Sequence, residues 1–280
     1  MNKKNMPKAY LLRYVEFYKL KFKVTPDVLI PRPETELLID EILKFYTLNP
    51  KPFTLVDIGT GSGNIAVSIA KQLPTRRVGI RIVATDISNK ALKVAKQNAK
   101  FHGVENRITF IESNLLSYWV TPAKSEVSKV IGAVEHTSHS ITEELSGAKQ
   151  TNSERPGSAS STLRPDKLGG RTQLIIVANL PYIPTQRIPT LDSSVKDFEP
   201  HLALDGGPDG FDLYRNLFAQ IKQKDWNPAL IVCEIDYTQE SIAKSEPKKY
   251  FPGYEIEVKK DLAKNIRILK ILTVEGTLKQ

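Results

Sequence analysis

The chain has 280 residues, 40 Lys and Arg against 31 Asp and Glu, a formal charge of +9, 40% apolar residues and one cysteine. That length holds one large α/β domain with additions, and the lone Cys233 rules out an internal disulfide and a cysteine-based metal site. The 4 histidines are scattered, so no metal is expected, and no apolar run approaches the roughly 18 residues that span a membrane.

Met1 to Asn5 is basic with no apolar run behind it, which argues for a cytoplasmic rather than a secreted protein. The basic residues of 1–23 outnumber the one acid there, Glu16; such a run suits RNA or an acidic partner but is more simply a solvated face. Val15 and Phe17, then Leu20, Phe22 and Val24, alternate about Tyr18-Lys19, which predicts a β-hairpin. Residues 1–30 are thus read as a basic segment with a hairpin, and 31–280 as the main domain. Ile30-Pro31-Arg32-Pro33-Glu34-Thr35-Glu36 leads into a helix through 37–43, with Thr35 as its cap. An Arg and two acids on a proline-braced loop, Arg32, Glu34 and Glu36, suit gripping a substrate.

A buried strand over 54–58 runs into Gly59-Thr60-Gly61-Ser62-Gly63, and a helix follows over 64–73 with Ile65, Ile69 and Leu73 on one face. Strand, glycine turn and helix bring main-chain N–H groups and a helix start to a nucleotide-like ligand. The next strand, 80–86, ends in Asp86, placed to accept hydrogen bonds from ribose hydroxyls. The same residues fit the dinucleotide pattern, so the loop alone leaves NAD and S-adenosylmethionine both open. Asp57, directly before the loop, favours S-adenosylmethionine because an acid there suits an ammonium group, which NAD lacks.

Ser88 caps a helix over 90–102 ended by Gly103, and a strand over 107–111 leads to Asn114-Leu115. Residues 121–172 are rich in Ser, Thr, Lys, Glu and Gly without sustained periodicity, which predicts a disordered insertion with a short helix near 125–134. The core resumes with a strand over 174–178, closed by Asn179-Leu180-Pro181-Tyr182. An Asn oxygen and a nearby carbonyl can accept from one NH2 group, the proline stiffens the turn, and the Tyr ring can stack on a flat nitrogen group. Then come a turn-rich loop over 198–210, a helix over 212–223, a strand over 229–234 that buries Cys233, a helix near 239–245, and strands over 254–259 and 266–272. Seven strands with intervening helices read as a doubly wound, mostly parallel α/β sheet, with an antiparallel last strand and the N-terminal hairpin added.

Taken together, Ile30 to Glu36, Asp57 to Gly63, Asp86, Asn179 to Tyr182, Glu199-Pro200 with Ala203-Leu204, Gly206-Gly207-Pro208-Asp209-Gly210, and Asp261-Leu262-Ala263 with Arg267 resemble the HemK/PrmC family. These are N5-glutamine methyltransferases that act on peptide chain release factors. The resemblance covers nearly everything outside the insertion. It implies a Rossmann-like fold and S-adenosylmethionine held by Asp57, Gly59, Thr60, Gly61, Ser62, Gly63, Asp86, Asn114 and Leu115, with Asn179 at the reacting end. It implies that Asn179, Leu180, Pro181 and Tyr182 hold the glutamine of a Gly-Gly-Gln motif, Asn179 and Tyr182 being the catalytic pair. Three departures stand out. Only about nine residues precede the hairpin where the family usually begins with a helical domain. Leu180 replaces a usual proline, and Asn114 a usual acid.

Adenine-N6 methylation of RNA or DNA, glutamine methylation of a ribosomal protein, and S-adenosylmethionine binding without turnover are the competing readings. Intact Asn179 and Tyr182 argue against the last. A monomer without a stable nucleic-acid partner or a membrane association is expected.

Overall fold

The computed structural model describes residues 5–73, 79–119 and 172–274. The chain divides into two units, one of residues 1–118 with 168–280 and one of residues 119–167. The expected insertion, with its short helix near 125–134, lies outside the described residues except for position 172.

The chain opens with a short helix that the pattern did not announce, α1 (Lys8–Leu12). The expected hairpin follows, β1 (Tyr14–Phe17) against β2 (Leu20–Lys23). Its two-residue turn puts Tyr18 and Lys19 at φ 49° and 59°. Two successive left-handed residues give the turn the twist that matches its strands. The hairpin is fastened on both sides. The Tyr18 N–H donates to Glu36 (2.6 Å), and Asn98 both accepts from the Lys23 N–H (2.7 Å) and donates to its carbonyl (3.0 Å). Phe17 and Phe22 then join Leu38, Ile39 and Ile42 of α2 (Glu36–Leu48) in the main apolar core.

Thr35 does not cap α2. A single 3-10 turn, Pro33–Thr35, precedes the helix, and the Thr35 hydroxyl donates instead to Glu234, 2.6 Å away and 199 positions along the chain. A tertiary partner has taken the side chain that local pattern assigned to the helix start.

The central sheet has seven strands in the order β5-β4-β3-β6-β7-β9-β8. They are β3 (Phe53–Ile58), β4 (Ile80–Asp86), β5 (Ile108–Glu112), β6 (Gln173–Ala178), β7 (Leu230–Glu234), β8 (Tyr254–Lys260) and β9 (Ile266–Thr273). The first five run parallel and β9 runs antiparallel between β7 and β8, as expected. Every residue of β3 and β7 is buried, because helices cover both faces of a parallel sheet and its central strands meet no water. The helices after α2 are α3 (Asn64–Gln72), α4 (Asn89–Phe101), α5 (Ser193–Lys196), α6 (Asp212–Gln223) and α7 (Glu240–Ser245). The Ser88 hydroxyl caps α4 by accepting from the Ala91 N–H, as expected.

Register places the chemistry. Ile58 pairs with both Thr85 and Ala178, and Ala178 pairs with Cys233. The next residue of each strand is Gly59, Asp86, Asn179 and Glu234, so these four stand side by side at the carboxyl edge. That edge is where open α/β sheets bind ligands.

Candidate active site

One cavity opens on this edge. Its walls include Arg32, Gly59, Thr60, Gly61, Ser62, Asp86, Asn114, Leu115, Asn179, Leu180 and Pro181, all expected site residues. They also include Thr35, Ile87, Ser88, Pro200 and Leu202, which were not. Asp57, Gly63, Glu34, Glu36 and Tyr182 stand outside its walls.

The three glycines of the loop all have positive φ, 71°, 55° and 80° at positions 59, 61 and 63, but they serve different ends. A Cβ on Gly63 would come within 3.0 Å of the Ala95 Cβ, so this glycine lets α3 start against α4. A Cβ on Gly59 would meet Leu180 at 3.1 Å, so this one lets the loop nest on the Asn179 turn. Only Gly61 has open space above it, with nothing within 4 Å. Of the three glycines, Gly61 is therefore the one that leaves room for close approach to the main chain.

Asp86 shapes the loop as well as facing the cavity. One carboxylate oxygen accepts from the Gly61 N–H (2.8 Å) and the other from the Ser88 N–H (2.8 Å). Each oxygen keeps a lone pair for a further donor, as a ribose hydroxyl requires. Burial raises its pKa, against the pull of those main-chain donors.

Asp57 is fully buried behind the loop and does not line the cavity. It accepts from the Thr60 hydroxyl (2.7 Å) and braces the turn from below. Burial pushes its carboxyl up to about 7, with the Thr60 hydrogen bond opposing.

The Asn179 turn is built around a residue that sequence reading passed over. Glu234, the last residue of β7, is buried with 1% exposure. It accepts from the Thr35 hydroxyl (2.6 Å), the Asn179 side-chain NH2 (3.1 Å) and the Tyr182 hydroxyl (2.9 Å). The Asn179 NH2 also reaches the Thr35 oxygen (3.0 Å). Among the described residues nothing donates to the Asn179 Oδ1. Burial raises the Glu234 pKa, while Thr35, Tyr182 and Arg267 oppose the rise. A strand-ending acid was the available clue, the same one that marked Asp86. Behind the turn, the Leu180 N–H donates to the Tyr214 hydroxyl (3.2 Å), which donates to the Glu234 carbonyl. Gly206 and Gly210 fit against the Pro181 and Tyr182 main chain, where a Cβ would fall at 2.7 Å and 2.2 Å from its carbonyls.

The proline-braced loop is likewise bound inward. Arg32 pairs with buried Glu199, which also accepts from the Ile30 N–H (3.2 Å). That carboxylate clasps the Pro31-Arg32 and Pro200 walls together. Glu36 is spent on the hairpin turn, and Glu34 lies outside the cavity wall with its charge bearing on Glu234 and Arg267. Arg32 thus pairs with Glu199 while lining the cavity, and Glu36 accepts from the hairpin turn. Arg267 pairs with Asp261 (3.3 Å) and places positive charge near Tyr182 and Glu234. No helix among the described residues is long and apolar enough to cross a membrane, and no cluster there suits a metal ion.

A family model described as a methyltransferase domain matches residues 51–130, which include the glycine loop and Asp86. The release factor glutamine methyltransferase of Moorella thermoacetica is 38% identical over 212 residues, 75% of this chain and 55% of that relative. That of Clostridium acetobutylicum is 31% identical over 278 residues, 99% of this chain and 78% of that relative. Among solved structures, the catalytic domain of hMettl16 in complex with the MAT2A 3'UTR hairpin 6 superposes with a TM-score of 0.58 at 12% identity, covering 92% of this chain and 77% of that one, which shows a shared fold. The open space over Gly61, the acceptor oxygens of Asp86 and the Asn114-Leu115 wall suit a nucleoside ligand, and the methyltransferase match decides between the two cofactors in favour of S-adenosylmethionine. The chain belongs to the release factor glutamine methyltransferase family.

Proposed function

We propose that this protein transfers a methyl group to the side-chain amide nitrogen of a glutamine in a peptide chain release factor, the glutamine of a Gly-Gly-Gln motif. One observation carries the reading. The Asn179 side-chain NH2 faces the Thr35 and Glu234 oxygens, and its own oxygen is left to accept beside the cofactor cradle. A primary amide entering there finds an acceptor for its NH2 group.

When bound, S-adenosylmethionine supplies an electrophilic methyl group. The residues of this chain supply position and electrostatics. An amide nitrogen is a poor nucleophile because its lone pair is delocalised into the carbonyl. Asn179 Oδ1 and the neighbouring Leu180 carbonyl hold the NH2 in line with the methyl and stabilise the positive charge that develops on nitrogen. The Tyr182 ring, held by its hydroxyl on Glu234, packs beside the amide plane. No general base is needed before attack, since the proton is lost only after the nitrogen has gained the methyl.

Incubation with labelled S-adenosylmethionine and a release factor, followed by mass spectrometry, tests the proposal. One methyl group on that glutamine is expected, and none on a Gln→Ala release factor. Label on RNA adenines or on a ribosomal protein, with the release factor untouched, would overturn it.

A further inference from the structure

We propose that Glu234 is the positioning residue of this site: its carboxylate decides which end of the Asn179 amide faces the cavity. The inference rests on the reaction proposed above and concerns how the acceptor for the substrate NH2 is made.

An asparagine amide presents an oxygen on one side and an NH2 on the other, and the two ends have nearly the same shape. Only its neighbours select between them. Here the selection is complete. The single proton of the Thr35 hydroxyl goes to Glu234, so toward Asn179 the Thr35 oxygen can only accept. An ionised Glu234 can only accept as well. The Asn179 NH2 therefore lies on the Thr35 and Glu234 side, and the oxygen is turned away from it. Reversing the amide would set its oxygen against a carboxylate oxygen now 3.1 Å from the nitrogen. It would also offer the incoming glutamine a donor where its own NH2 needs an acceptor.

The same carboxylate fixes the second member of the pair. Its other oxygen takes the Tyr182 hydroxyl at 2.9 Å, so the ring angle and the Asn179 orientation share one reference point. The main chain of Glu234 adds a third tether, through Tyr214 to the Leu180 N–H. Glu234 is 1% exposed and stands outside the cavity wall, so it acts through Asn179 and Tyr182 rather than on the substrate. The charged groups that bear on it are Arg267 and Glu34.

The test compares wild type, Glu234→Gln, and Glu234→Gln combined with Asn179→Asp, using methyl transfer to a release factor and calorimetry of S-adenosylmethionine. In Glu234→Gln the new NH2 can face Asn179 and favour the reversed amide. A fall in kcat of about a hundredfold is expected, with cofactor affinity kept within about twofold. In the double variant a carboxylate at 179 accepts from Gln and still turns an oxygen to the cavity. Recovery of about tenfold over Glu234→Gln alone is expected, which a packing role would not produce. Undiminished kcat in Glu234→Gln, or a loss with no recovery in the double variant, would overturn the proposal. Should Glu234→Gln fail to fold, Thr35→Val serves: about a fivefold fall in kcat with intact cofactor binding supports it, and unchanged kcat overturns it. Wild type that leaves the release factor unmethylated overturns the reaction itself, and this inference with it.

Discussion

Asp57 shows how one buried acid can make folding stability depend on pH. Its folded pKa of about 7 lies above the unfolded value of 3.8. The folded state therefore binds the proton more tightly, so the stability it contributes is fully present below about pH 4 and is lost as the pH rises toward about 7. Asp57→Asn should remove that slope. Plotted against pH, the difference in Tm between variant and wild type should grow from about pH 4 to 7 in favour of the variant and then level off. A constant difference across that range would show that Asp57 stays ionised. Asn179 has a different kind of leverage. Asn179→Ala should leave S-adenosylmethionine binding largely intact, since Gly61 and Asp86 lie elsewhere on the edge, while turnover falls by about 10² or more. Calorimetry and single-turnover assays separate the two effects. Leu180 has a main-chain role that a proline could not copy, because its N–H donates to Tyr214.

At the scale of the element, the glycine loop divides into a packing part and a binding part. Ala at either Gly61 or Gly63 meets the cost of a left-handed residue, about 1–2 kcal/mol. Gly63→Ala adds a collision with Ala95 at 3.0 Å, whereas Gly61→Ala meets only open space. Thermal melts should therefore show the larger drop for Gly63→Ala. S-adenosylmethionine titration should show the larger loss for Gly61→Ala, about tenfold or more, because its Cβ enters the ligand's space. Equal losses of affinity would mean that the ligand does not approach at Gly61. Strand, loop and helix were legible here because periodicity and glycine spacing are local facts. Asp86 and Asn179 were legible because they end buried strands. The fate of Thr35 was not. A threonine before a helix reads as a cap, and only the fold brings it to Glu234. Glu234 was hidden for the same reason: its three partners come from two other stretches of chain.

Across the whole molecule, the hairpin and the sheet share one core. Phe17 and Phe22 are buried with Leu38, Ile39 and Phe53. Phe22→Ala should cost about 3–5 kcal/mol, as for a large side chain removed from a close-packed interior. Denaturant unfolding should show this as a single shifted transition; an early separate transition would show instead that the hairpin melts alone. The sequence pattern located the hairpin and its turn but set it in a segment of its own, because alternation shows which side chains face inward and not which core they enter. The inward binding of Arg32 was illegible for a like reason, since Glu199 lies 167 positions away.

The shared acceptor at Glu234 also limits how such a sequence can drift. Its three partners stand 199, 55 and 52 positions from it in the chain. Ordinarily stretches that distant accumulate changes independently. Here a replacement at 234 that donates would be penalised at 35, 179 and 182 at once, while a replacement at any one of those three leaves a buried carboxylate short of a donor. Single steps away from this arrangement lead downhill, and only paired changes, such as a donor at 234 with a carboxylate at 179, offer a level route.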